Sequence, residues 1–185
     1  MSIVTWFIIG IVVVAIIVYL VAIFNGLIRL NNNIKKSWAN INVLLKQRHD
    51  ELPKLINTVK GYMKYEKNVL QEITKARTEF MKAEDIHEKA RISNQISDAL
   101  KTIFAVAENY PKLQANESFK HLQNRISGLE NEIADRREFY NDGVNAFNIR
   151  IQSIPDVVVA KMMGYTRQEL FRVTAAEITE PEVEL

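Results

Sequence analysis

Cysteine is absent from this chain of 185 residues, so no disulfide can staple it and no thiolate can act as nucleophile or metal ligand. The redox compartment therefore leaves no mark on the composition. Glycine and proline are scarce, at six and four residues. Such scarcity argues against a sheet-rich fold with many tight turns and suits long helices. Charge is missing altogether from residues 1–28. From Arg29 onward the chain is densely charged, so its 48% hydrophobic content is an average over two regimes.

The uncharged regime contains IVTWFIIGIVVVAIIVYLVAIF over residues 3–24. About 20 apolar residues suffice to cross a hydrocarbon core of roughly 30 Å. Trp6 and Tyr19 lie towards its ends, as interfacial aromatics do. A cleaved signal peptide would need a basic start, a shorter apolar core and a small-residue cleavage site, and none is present. Residues 1–28 are expected to be a retained transmembrane anchor. Arg29, Lys35 and Lys36 follow it closely and are candidate membrane-surface contacts. By the positive-inside rule they place the main domain in the cytoplasm and the short N-terminus outside. The net charge of +2 hides a second asymmetry: residues 29–82 carry 12 Lys/Arg against 5 Asp/Glu, and residues 83–185 carry 12 against 17. The basic half adjoins the anchor.

Helical periodicity governs the rest. Ile34, Trp38, Ile41, Leu45, Leu52, Ile56, Val59 and Met63 form one stripe, with Arg48 filling a slot in it. Pro53 predicts a kink or a new helix start there, with Asp50 and Glu51 suited to an N-terminus. Val69, Ile73, Ala76 and Phe80 form a second stripe, and a turn is expected in polar residues 82–89. Ile92, Ile96, Ala99, Ile103 and Val106 form a third, closed by Tyr110-Pro111. The longest runs Phe119, Leu122, Ile126, Leu129, Ile133, Arg136, Tyr140, Val144, Phe147 and Ile151, close to a heptad seam. Asn116 or Ser118 would cap it. Pro155 opens a short element through Met163, which Gly164 ends. The expected architecture is all-α: an N-terminal transmembrane helix, then an antiparallel long-helix bundle with coiled-coil-like seams over residues 29–173, then an acidic flexible tail over 174–185.

Reaction chemistry is hard to find. His49, His87 and His121 do not pair at the spacing of a zinc site. Glu84-Asp85-Ile86-His87 contains Glu-x-x-His, but a di-iron bundle needs a second such motif and two more glutamates. No Walker loop, G-x-S-x-G or G-x-G-x-x-G occurs. Glu130 and Glu132 lie on different helix faces and are expected to face water. The aromatics fall on the apolar stripes, so Trp38 reads as core rather than as a base-stacking platform, and no nucleic-acid partner is expected. Arg136 stands at a seam position. It reads either as a snorkelling or paired interhelical charge or as an oligomer or partner contact.

The ordered set Phe24-Asn25-Gly26-Leu27-Ile28, Ser37-Trp38-Ala39-Asn40-Ile41, Asp50-Glu51-Leu52-Pro53-Lys54-Leu55-Ile56-Asn57-Thr58-Val59-Lys60-Gly61-Tyr62 and Ala107-Glu108-Asn109-Tyr110-Pro111 resembles the bacterial LemA family. So do Glu130-Asn131-Glu132-Ile133-Ala134, Arg137, Tyr140-Asn141-Asp142, Asn148 and Ile154-Pro155. The chain departs from the family pattern at Asn42, at Gln47-Arg48 and at Tyr65. The resemblance implies a single-pass bacterial membrane protein with a helical bundle, and no defined catalytic residue. Together these readings lead to a membrane-anchored scaffold, not an enzyme, needing no cofactor or metal. Its partners would be the lipid bilayer and further copies of itself as a homo-oligomer. The alternative is an adaptor or regulator of another membrane protein, such as an envelope stress or protease system, with the acidic tail as docking element.

Overall fold

The computed structural model describes residues 2–63 and 65–171, and the acidic tail expected over 174–185 lies outside them. The described residues form six helices and no strand: α1 (Ile3–Lys60), α2 (Lys67–Phe80), α3 (Ile86–Ala107), α4 (Pro111–Gln114), α5 (Glu117–Arg150) and α6 (Asp156–Met162). They divide into two compact units. One contains α1 up to Trp38 together with Phe139–Gln168, and the other contains, among the described residues, Ala39–Glu138 and residues 169–171.

Helix α1 corrects one expectation. Pro53 does not start a new helix but lies inside α1, which continues to Lys60. Proline removes one backbone donor and crowds the preceding turn. Leu52, Leu55 and Val59 are nevertheless completely buried around it, and that packing holds the turn helical against the local preference. At the other end, α1 begins with a helix segment long and apolar enough to cross a membrane, of whose most apolar stretch only 6% is buried by the protein.

In the unit built on Ala39–Glu138, the helices alternate in direction. Asn42 and Arg48 of α1 meet Lys89 and Ser93 of α3 in the same order, so these two run parallel. Asn94 and Ser97 of α3 meet Arg137 and Glu130 of α5 in reverse order, so these run antiparallel. With α2 returning between α1 and α3, the result is an up-down-up-down bundle, as the stripes imply. All four residues of the second stripe, Val69, Ile73, Ala76 and Phe80, are buried. On α3, Ile92, Ile96, Ala99 and Ile103 are buried, whereas Val106 is only half-buried. Caps fix the ends. The Asp85 carboxylate accepts from the backbone N–H groups of His87 at 3.0 Å and Glu88 at 3.1 Å. Asn116, one of the two expected caps of α5, accepts from the Phe119 N–H at 3.0 Å.

The other unit pairs α1 with the end of α5. Trp38 and Tyr140 rings lie 5.9 Å apart, and Ile34 packs beneath Gly143. Nearer the apolar segment, the Arg150 guanidinium covers Gly26, where an added Cβ would come within 2.7 Å of it. Arg150 also forms an ion pair with Asp156, joining the end of α5 to the start of α6. Gly164 ends α6 as expected, with φ +68°. The Tyr165 N–H reaches the Ala160 carbonyl at 3.0 Å and the Gly164 N–H reaches Lys161 at 3.1 Å, the paired bonds of a Schellman motif. The chain then returns to α5. Asn148 donates to the Gln168 carbonyl at 2.9 Å and accepts from the Gln168 N–H at 2.8 Å.

Candidate functional site: a buried arginine network

The slot that Arg48 fills on the first stripe is the centre of a polar network inside the bundle. Arg48 is 1% exposed. A guanidinium so deeply withdrawn from water must be paired and hydrogen-bonded. It is ion-paired to Glu130 of α5, and the same nitrogen, Nη1, donates to the Ser97 hydroxyl at 3.0 Å. Its Nη2 donates to the Ser93 hydroxyl at 2.8 Å and to the Ser93 carbonyl at 3.3 Å. The Ser97 hydroxyl lies 2.6 Å from the second oxygen of Glu130. One carboxylate and two serines of α3 thus tie three helices together through a single cation.

A second guanidinium enters from α5. Arg137 donates to Asn94 at 2.8 Å and to the Ser93 hydroxyl, and its guanidinium carbon sits 4.6 Å from the centre of the Phe171 ring, a cation–π arrangement. The Ser93 oxygen therefore accepts from both arginines. Both guanidiniums feel the Glu130 charge, and as like charges each lowers the other's preference for the charged form. Burial and, after it, the Arg48 charge push the Arg137 pKa down and Glu130 opposes both, leaving it at about 10. The Arg48 pKa is likewise lowered by burial, against the attraction and hydrogen bond of Glu130. Nε of each arginine is buried without a hydrogen-bond partner among the described residues.

Beside the network lies a cavity of about 350 Å³ lined by Asn94, Ser97, Asp98, Lys101, Glu130 and Arg137 among others. Lys101 and Asp98 pair across 3.1 Å at its edge. The lining offers donors and acceptors, and the Glu130 carboxylate that accepts from the Ser97 hydroxyl is at the same time ion-paired to Arg48. His49 is buried elsewhere, 5.9 Å from the Phe80 ring and 3.2 Å from Asp50. Among the described residues no three His, Asp or Glu side chains gather as metal ligands.

Of the two neighbouring arginines, the one that enters the network is not the one at the heptad position. Arg136 is exposed, and Arg137 turns inward. A straight helix drifts by about 20° per heptad relative to a 3.5-residue repeat, which carries Arg136 off one edge of the stripe and brings Arg137 to the other. Glu130 corrects a second expectation: it pairs with Arg48 rather than facing water alone, while Glu132 is exposed. The signal that could have found Glu130 was Arg48 itself, since a cation on an apolar stripe requires a carboxylate on a facing one. Arg29, Lys35 and Lys36 are exposed on α1. Arg29 and Lys36, seven residues apart, share a face, and Lys35 lies to one side of it.

An apolar leading helix, an alternating helical bundle and an internal ionic network define a class: helical-bundle proteins whose polar core joins helices. The chain belongs to the LemA family, whose family model matches residues 37–185. It is 24% identical to the magnetosome protein MamQ 2 of Paramagnetospirillum magneticum, over 86% of this chain and 68% of that protein. It is 21% identical to the magnetosome protein MamQ of Magnetospirillum gryphiswaldense, over 85% and 68%. With the protein LemA of Metamycoplasma hominis it shares 26% identity, over 86% and 73%. The family and these relatives bear names that denote no reaction. Arg48, Ser93, Ser97, Glu130 and Arg137 all fall within the family match, whereas the apolar segment precedes it.

Proposed function

We propose that this chain is a membrane-anchored helical scaffold that self-associates at the bacterial cytoplasmic membrane and catalyses no reaction. The carrying observation is the uncovered apolar part of α1, with 6% of its most apolar stretch buried. Such a surface is tolerated in hydrocarbon and not in water, and the length suits one crossing. Exposed Arg29, Lys35 and Lys36 just beyond it favour a cytoplasmic bundle. Anchoring confines identical bundles to two dimensions, which raises their effective concentration and favours self-association. An internal network that joins three helices supports a structural role. Relatives named for the magnetosome rather than for a reaction support it as well.

The test is the particle mass of the full-length protein in nanodiscs or detergent across a dilution series. A discrete assembly that persists on dilution supports the scaffold. A monomer at every concentration would sink self-association and leave the adaptor reading, in which the acidic C-terminal residues dock another membrane protein.

A further inference from the structure

The unit formed by the start of α1 and Phe139–Gln168 carries apolar side chains that the protein leaves bare. Ile154 is 89% exposed, Met162 83%, Val158 59% and Ile149 58%. Val158 and Met162 are four apart on α6 and fall on one side of it, and Ile154 is bare just ahead of that helix. The opposite side of α6 carries its buried residues, Asp156, Val159 and Ala160. Helix α6 is thus amphipathic in a way that presents its larger apolar side chains outward, the reverse of what water selects.

The level of this corner along α1 tells what covers it. Trp38 meets Tyr140, Ile34 meets Gly143, and Gly26 meets Arg150. Down α5, each step comes closer to the apolar segment. At Arg150 the chain is two residues short of Phe24, where the uncharged apolar run ends, and it is still heading towards that run. Ile23 inside the run is 3% exposed, and Leu27 is fully buried, whereas Ile16 to Val21 are open. Polypeptide therefore reaches the last turn of the apolar run, at the depth where the headgroup region of a bilayer begins.

We propose that the α5–α6 corner is a membrane-interfacial foot: Ile154, Val158 and Met162 insert into the boundary between headgroups and acyl chains of the same bilayer that α1 crosses. Lys161 and Arg167 are exposed in the same unit, and Arg29 is exposed on α1 nearby, placing cations at headgroup level. Interfacial helices bind lipid with this combination of apolar face and flanking basic residues. A second copy of the chain is the weaker occupant. Four side chains fall well short of the about 800 Å² per partner that a standard protein interface buries. The proposal rests on the reading of α1 as a membrane span.

Because the chain has no cysteine, single-cysteine variants of the full-length protein need no background removal. Ile154→Cys, Met162→Cys, Val13→Cys in the middle of the apolar run and Glu132→Cys on the exposed face of the bundle are labelled with an environment-sensitive fluorophore. Each is reconstituted into phosphatidylcholine–phosphatidylglycerol vesicles carrying a nitroxide either near the headgroup or near the bilayer centre. Labels at 154 and 162 should emit blue-shifted and lose intensity chiefly to the shallow nitroxide. The label at 13 should lose intensity chiefly to the deep one, and the label at 132 to neither. If 154 and 162 behave like 132 while 13 is quenched, the foot is overturned and the span stands. Blue-shifted emission at 154 and 162 without quenching would assign the face to another copy of the chain and also overturn the foot. An unquenched label at 13 removes the span, and the foot with it.

Discussion

Arg48 and Glu130 are partners with unequal dependence on each other. Arg48 is 1% exposed at its side chain and Glu130 26%. Removing the carboxylate strands a cation that cannot rehydrate, and breaking a buried pair from one side costs about 3–5 kcal/mol. Removing the cation leaves a carboxylate with water in reach. Glu130→Ala should therefore destabilise the bundle more than Arg48→Met does, and comparing urea midpoints of the two variants by circular dichroism checks the order. Arg137 adds a pH signature. Its pKa falls on folding from the usual guanidinium range to about 10, so above about pH 10 the unfolded chain holds more protons and stability rises with pH. Below the folded value both states are protonated. The stability difference between the protein and Arg137→Met should stay constant from about pH 6 to 9 and shift in favour of the unmutated protein above about pH 10. Denaturation at a series of pH values reads this directly.

Elements were legible where periodicity alone decides and obscure where a local rule met a tertiary one. The stripes of α2 and α3, the cap at Asn116 and the stop at Gly164 follow from spacing and backbone chemistry, and the structure places them as expected. Pro53 reads as a boundary because its local cost is visible, while the burial of Leu52 and Leu55 that overrides it depends on helices far away in sequence. The polar network was half visible: Arg48 stood out on its stripe, but Ser93, Ser97 and Asn94 look like any surface residues until α5 faces them. Two predictions belong here. Proline in a helix interior is about 3 kcal/mol less favourable than alanine, so Pro53→Ala should raise the thermal midpoint. Gly164 holds φ +68°, with open space around its Cα. A Cβ there meets backbone strain rather than a neighbour. Gly164→Ala should cost roughly 1–2 kcal/mol, seen as faster amide exchange at Gly164 and Tyr165.

For the whole molecule, the uncovered start of α1 dominates behaviour in a cell. Full-length chain expressed in bacteria should sediment with membranes and resist alkaline carbonate extraction, while a variant lacking residues 3–24 should be released by it. Fractionation and immunoblotting distinguish the two.

The unit that pairs Trp38 with Tyr140 joins two stretches of chain separated by residues 39–138. A ribosome adding about 5–20 residues per second needs roughly 5–20 s to make those hundred residues. In the course of that interval the leading helix emerges from the ribosome, while the segment destined to lie against Gly26 is still being translated. Birth order thus divides the assembly of this protein into two acts: the helix takes its place first, and its own C-terminal half arrives later to find it.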